Sequence, residues 1–250
     1  MVAQLGGGPL PLPRDLEPVL PGENELAAAR RLLERMIKND PKAFEVVPGD
    51  ALYAHPELVK MLRAPGKDLG AVLKENHPDL LKDARAMLLR EEPALSTQGD
   101  RQLARGDREG VTTWPQAAET ARVVRSLETA FAPRPSKTSD WFWGTTLSAQ
   151  DASAQTIARI GQARGQIENQ GFNYLVNYLH LDHGFHHHPN AIPAFILIAF
   201  IAYILLQAFH QLNFKPQARA KISLFGLIHE LAAAFWNRLE PLSFEARPPP

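Results

Sequence analysis

Cysteine is absent from the 250 residues. That excludes disulfide scaffolds, thiolate-bound zinc, Fe–S clusters and thiol nucleophiles. Net charge is absent as well, since 27 Lys and Arg balance 27 Asp and Glu. A free-standing polyanion binder is ordinarily basic, so bulk charge does not suit this chain to that role. No internal repeat of fixed period occurs. The opening stretch Leu5-Gly-Gly-Gly-Pro-Leu10 has neither a basic n-region nor a long apolar h-region, so no secretory leader is expected and the placement is read as cytoplasmic. Charge vanishes entirely between Asp182 and Lys215. What is present is a 45% hydrophobic fraction, ample for a core, and 21 prolines gathered near the ends and in short loops. Five of nine histidines lie between His180 and His188.

A chain this long holds one large domain, or one domain with an insertion. Residues 1–20 are apolar pieces cut by Gly6-Gly7-Gly8 and by Pro9, Pro11 and Pro13, and they read as edge-like strands. Leu26, Ala29, Leu33, Met36 and Ile37 predict a helix over about 23–39. A strand at Phe44–Val47, a helix from Pro56 to Leu62 and a strand at Leu69–Leu73 make a βαβ unit with parallel strands. An amphipathic helix follows at about 78–91. From Glu92 to Thr146 the period changes to two, with strands expected at Ala121–Leu127 and Trp141–Leu147. A long helix is expected over about 152–179, and another from Asn190. The organisation expected is therefore 1–91 as the first part of an α/β core, 92–147 as a β-rich insertion, 148–214 as the helical remainder of the core, and 215–250 as a tail.

Four places could carry chemistry. Asp50 stands just past a buried strand, in Val46-Val-Pro-Gly-Asp-Ala-Leu-Tyr53. Ligands of open α/β sheets bind beyond the carboxyl ends of strands, although an aspartate there can equally cap a turn. Glu168 lies four residues after Arg164, a spacing that suits an ordinary helix-surface ion pair. Its uncharged polar neighbours Asn169, Gln170 and Asn173 make it read as positioned. The His180–His188 run could hold a transition metal, but it matches no ligand spacing and reads as a loop. From Ala191 to Leu206 every residue is apolar or proline. Sixteen residues fall short of the roughly 20 that span a bilayer, so a helix buried inside the fold is expected, with no membrane partner.

Arg164-Gly-Gln-Ile-Glu-Asn-Gln-Gly-Phe-Asn173, the His-rich link, and Pro189-Asn-Ala-Ile with its apolar helix resemble the C-terminal end of DDE-type insertion-sequence transposases. Val46–Tyr53 resembles the segment around their second catalytic aspartate. Leu10-Pro-Leu-Pro-Arg-Asp-Leu-Glu-Pro18, with Pro21-Gly-Glu23, resembles the strand before it. The resemblance implies an α/β fold with an RNase H-like mixed sheet, flanking helices and a β-rich insertion. It implies Asp50 and Glu168 as metal-binding catalytic carboxylates, Arg164 as their companion, and two Mg²⁺ ions that activate a nucleophile and stabilise the leaving oxygen in phosphodiester displacement. DNA, at transposon ends, is the implied partner.

The departures are specific. Gly161 and Leu175 stand where relatives often carry a tyrosine and a lysine, and Gly165 replaces a bulky residue. No acidic residue precedes Asp15, which belongs to a different strand from the one that carries the family's first aspartate. The first strand is expected to be missing, and the chain reads as an N-terminally truncated, inactive member. Its DNA affinity is expected to be weak, with a magnesium site that is incomplete. The alternatives from other classes are a membrane-associated or interaction protein built on the apolar helix 191–206, and a transition-metal hydrolase using the histidines.

Overall fold

The structure is a computed structural model that describes residues 1–6, 12–75, 77–90, 92–114, 121–131, 138–166, 175–177, 180–181, 183, 186 and 188–245. Glu168 lies outside the described residues, as do the first aromatic and amide neighbours that follow it. Two compact units are present. One comprises Met1–Pro11 and Asp15–Gln170, the other Leu12–Arg14 and Gly171–Pro250.

Two short strands, β1 (Val2–Leu5) and β2 (Leu12–Leu16), form a two-stranded sheet. Beyond β2, Glu17 and Met1 exchange hydrogen bonds through their main-chain groups at 2.7 and 2.8 Å. Helix α1 (Glu25–Asn39) begins where Asn24 accepts the Ala27 N–H at 3.0 Å, which satisfies one of the orphan donors of the first turn. The βαβ unit then follows as β3 (Val46–Gly49), α2 (Pro56–Arg63) and β4 (Asp68–Val72). The strands are parallel, as the spacing predicts, with Val46 opposite Asp68 and Gly49 opposite Ala71. Strand β3 starts two residues later than its apolar run suggests. The Asp68 N–H donates to the Glu45 carbonyl, so Glu45, Val47 and Gly49 face β4 while Val46 and Pro48 face away from it. Proline can sit there because it has no N–H to offer a ladder.

Helix α3 (Pro78–Leu88) leads into four antiparallel strands, β5 (Ala94–Gln98), β6 (Arg101–Arg108), β7 (Arg122–Ala130) and β8 (Thr138–Thr145). They do not form a sheet of their own. Strand β8 pairs with β4, so all six strands make one mixed sheet in the order β3-β4-β8-β7-β6-β5. The larger core lies on the face covered by α2 and α3, around Leu58, Leu62, Leu69, Leu81 and Val123. The opposite face is covered by α4 (Ala154–Gln166), over Val72, Val124, Trp143 and Ile157. Strand β4 is buried on both faces, which is why it reads as an unbroken apolar run.

The second unit holds α5 (Ala191–Asn213), a short α6 (Pro216–Arg219) and α7 (Leu224–Glu245). Here the expected buried helix is corrected. Ala199, Phe200, Tyr203 and Gln207 of α5 are buried, but Ile198 is 64% exposed, Ile201 59% and Leu205 64%. The helix is apolar all round yet covered on one side only, with His210 Nε2 tied to the Ile222 carbonyl at 2.8 Å. It is long and apolar enough to cross a membrane by length and composition, with 22% of that stretch buried. In the histidine run, His186 and His188 are exposed and turn their Nδ1 atoms to backbone N–H groups of His188 and Asn190. Among the described residues no three ligand-type side chains gather to hold a metal ion.

Candidate active site

Gly49 and Asp50 turn the chain abruptly out of β3. A Cβ on Gly49 would lie 2.6 Å from the Tyr53 Cβ, so only glycine lets the 3₁₀ turn Ala51–Tyr53 fold back this closely. Asp50 caps that turn, with Oδ1 accepting the Ala51 N–H at 2.5 Å. Capping and site roles are thus not exclusive. The cap fixes the carboxylate at the carboxyl end of a parallel strand, where an open α/β sheet places its ligands.

Two cations meet this carboxylate. Lys74, two residues past the end of β4, brings Nζ to 3.3 Å from Oδ1. Arg164, in the last turn of α4, brings Nη2 to 3.3 Å from Oδ2. Burial pushes the Asp50 carboxyl up, but the Ala51 N–H, Lys74 and Arg164 outweigh it and hold the group below the ordinary carboxylate range. Tyr53 is pushed up to about 12, chiefly by burial, with Glu25 adding to the effect. The Asp50 side faces a cleft of about 770 Å³ whose rim includes Lys74, Glu75, Arg85, Asp140 and Trp141. Arg125 grips Asp140 with two bonds of 2.9 and 3.0 Å, and Trp141 stacks on Trp143 with centroids 5.7 Å apart.

Helix α4 reaches Asp50 because of two contacts that sequence spacing does not reveal. Arg122, 1% exposed, donates to Asp107 at 2.6 and 2.9 Å and to the carbonyls of Ser148 and Ala152 at 3.0 and 2.5 Å. This anchors the segment that launches α4. Farther along, Gly161 passes directly over Trp143. A Cβ there would overlap the indole and sit 2.7 Å from its Cη2. The glycine found where relatives often carry tyrosine is therefore matched to the tryptophan beneath it.

The described part of the site brings Asp50 and Arg164 together, and Glu168 lies outside it. Asp15 is not a spare carboxylate. Its Oδ2 accepts Arg35 Nε at 2.8 Å, in a network that also joins Glu17, Glu23 and Arg31 and fastens α1 to the end of β2 and the segment after it. Lys74 was not singled out by sequence. Its signal was positional, the first charged side chain after a strand parallel to the one that ends at Asp50. Asp50 offers the hard oxygen donors that Mg²⁺ prefers, and Mg²⁺ keeps several waters and often uses only one or two protein carboxylates. Asp50 could supply one such oxygen ligand, and among the described residues no group of three ligand-type side chains joins it.

The family model described as Transposase DDE domain matches residues 12–205, more than half of the chain, including Asp50, Arg164 and most of α5. No curated protein and no solved structure matches the chain. The six-stranded mixed sheet with helices on both faces is consistent with the RNase H-like fold of that family. A carboxylate at the end of β3, met by an arginine from the helix across the sheet, thus belongs to a chain that is a member of the DDE transposase family.

Proposed function

We propose that Asp50, Arg164 and Glu168 are the remnant of a site for DNA transposition by phosphodiester cleavage and strand transfer, and that this chain alone does not carry the reaction through. The observation that supports the reading is the Arg164–Asp50 contact, which brings the last turn of α4, four residues before Glu168, to the end of β3. Asp50 and Glu168 would hold the magnesium. When two ions are bound, such a site activates water or a 3′-hydroxyl and stabilises the leaving oxygen. Asp50, fixed by its cap, supplies an oriented carboxylate at the strand end. Arg164 holds that carboxylate in place and presents a guanidinium suited to a phosphate oxygen.

Incapacity is supported by the carboxylates themselves. Asp15 is committed to Arg35, and among the described residues no group of three ligand-type side chains gathers at Asp50. Zero net charge leaves DNA binding to local contacts, weak and steeply dependent on salt. The 92–147 stretch is proposed to act as a β-rich insertion that extends the core sheet, and 148–214 as the part that returns the chain to it. The test is a nicking and strand-transfer assay on duplex DNA carrying the element's own ends, with Mg²⁺ or Mn²⁺. No product is expected. Metal-dependent nicking that disappears in Glu168→Gln would overturn the claim of inactivity and leave the site assignment standing. Nicking unaffected by Asp50→Asn and Glu168→Gln would overturn the assignment.

A further inference from the structure

We infer that Lys74 is a built-in competitor for the cation at Asp50, an inference that rests on the metal reading of that carboxylate. Three donors already surround it. The Ala51 N–H and Lys74 Nζ share Oδ1, while Arg164 takes Oδ2. A divalent ion reaching Asp50 must displace at least one of them. The three differ in how readily they leave. The Ala51 N–H is part of the turn backbone and cannot withdraw. Arg164 is carried on a packed helix, with its side chain 31% exposed. Lys74 has a side chain 55% exposed on a flexible four-carbon stem, and it follows the end of a strand instead of lying within a helix.

The electrostatics point the same way. An ammonium beside the carboxylate neutralises the charge that attracts a metal ion, and it repels a 2+ ion that arrives while it remains. Lys74 therefore sets the affinity of the site for metal without being a ligand. The pair itself is half exposed and contributes little to folding stability, so its removal leaves the fold intact.

The experiment measures Mn²⁺ binding to the full chain by electron paramagnetic resonance of free Mn²⁺ and by calorimetry. The variants are Lys74→Met, Lys74→Arg, Asp50→Asn, and Lys74→Met combined with Asp50→Asn. Lys74→Met is expected to bind Mn²⁺ roughly tenfold more tightly than the parent chain, the size expected for removing one positive charge about 5 Å from a divalent ion in a largely aqueous setting. Lys74→Arg keeps the charge and is expected to match the parent. The Asp50→Asn combination is expected to abolish the gain. Equal or weaker binding by Lys74→Met, with Asp50→Asn still lowering affinity, would overturn the role of Lys74 and spare the metal reading. Binding that ignores Asp50→Asn, or no binding by any variant, would overturn both.

Discussion

Gly161 and Gly165 lie one turn apart on α4, and the same substitution should act on them with opposite sign. Replacing a helix glycine by alanine removes backbone entropy from the unfolded chain and is worth about 1 kcal/mol where the new methyl meets no obstacle. Gly165 has that freedom, since among the described residues a Cβ there meets no atom within 4 Å. At Gly161 the Cβ runs into the six-membered ring of Trp143. That ring is 2% exposed, shares its cluster with Val72, Val124 and Ile157, and is stacked against Trp141, so it has nowhere to swing. Overpacking of this kind costs about 1–3 kcal/mol, which cancels or exceeds the helix gain. Gly165→Ala should therefore raise stability by about 1 kcal/mol, and Gly161→Ala should leave it level or lower it by up to about 2 kcal/mol. In a Trp143→Leu background the obstacle is gone and Gly161→Ala should become stabilising. Urea unfolding followed by far-UV circular dichroism, run as a double-mutant cycle, reads the coupling directly. Equal stabilisation by the two alanines in the parent chain would refute the packing of α4 on Trp143, and with it the route by which Arg164 reaches Asp50.

Two further outcomes are expected. Arg31 and Arg35 counter the burial that would push Glu17 up and hold its carboxyl below the ordinary range, while hydrogen bonds from Arg31 bring Glu23 down to about 2. Both folded values lie below the unfolded ones, so this stabilisation is complete above about pH 4.5 and is lost as the pH falls toward 2. Melting temperatures by circular dichroism should fall across that window, and Arg31→Gln should flatten the fall. An unchanged slope would disprove the network's role. On α5, Ile201→Gln should shift stability by no more than about 0.5 kcal/mol because the side chain is largely exposed, whereas Phe200→Ala should cost about 3–5 kcal/mol. Equal costs at the two positions in thermal unfolding would mean that both faces of the helix are packed.

The first half of the fold was legible because its elements are local. The repeat through Leu33 and Met36 gave α1, and the strand–helix–strand spacing gave the parallel pair whose end carries Asp50. Strands β7 and β8 were legible from alternation, but their continuity with β4 was not, because register is a property of partners distant in sequence. Arg164 illustrates the limit. Its spacing to Glu168 suggested an ion pair along one helix, while the guanidinium is found on an aspartate from another element. Lys74 and Arg122 escaped because an isolated cation in a strand or at its end carries no periodic signal. The apolar run of α5 was read as interior because amphipathic asymmetry is the usual sign of a surface helix, and this helix is covered on one side with no such sign in its sequence.

Pro48 gives the outer margin of the sheet a particular chemistry. Of the β3 residues that face away from β4, Val46 has an N–H and Pro48 has none, so the margin presents carbonyl acceptors with a single main-chain donor. An incoming strand could not complete a regular ladder along it. Short, proline-bearing margins are how β proteins discourage edge-to-edge aggregation. β3 thus offers a poor template for strand addition, which leaves β5, exposed along its whole length and free of proline, as the edge of this sheet open to an incoming strand.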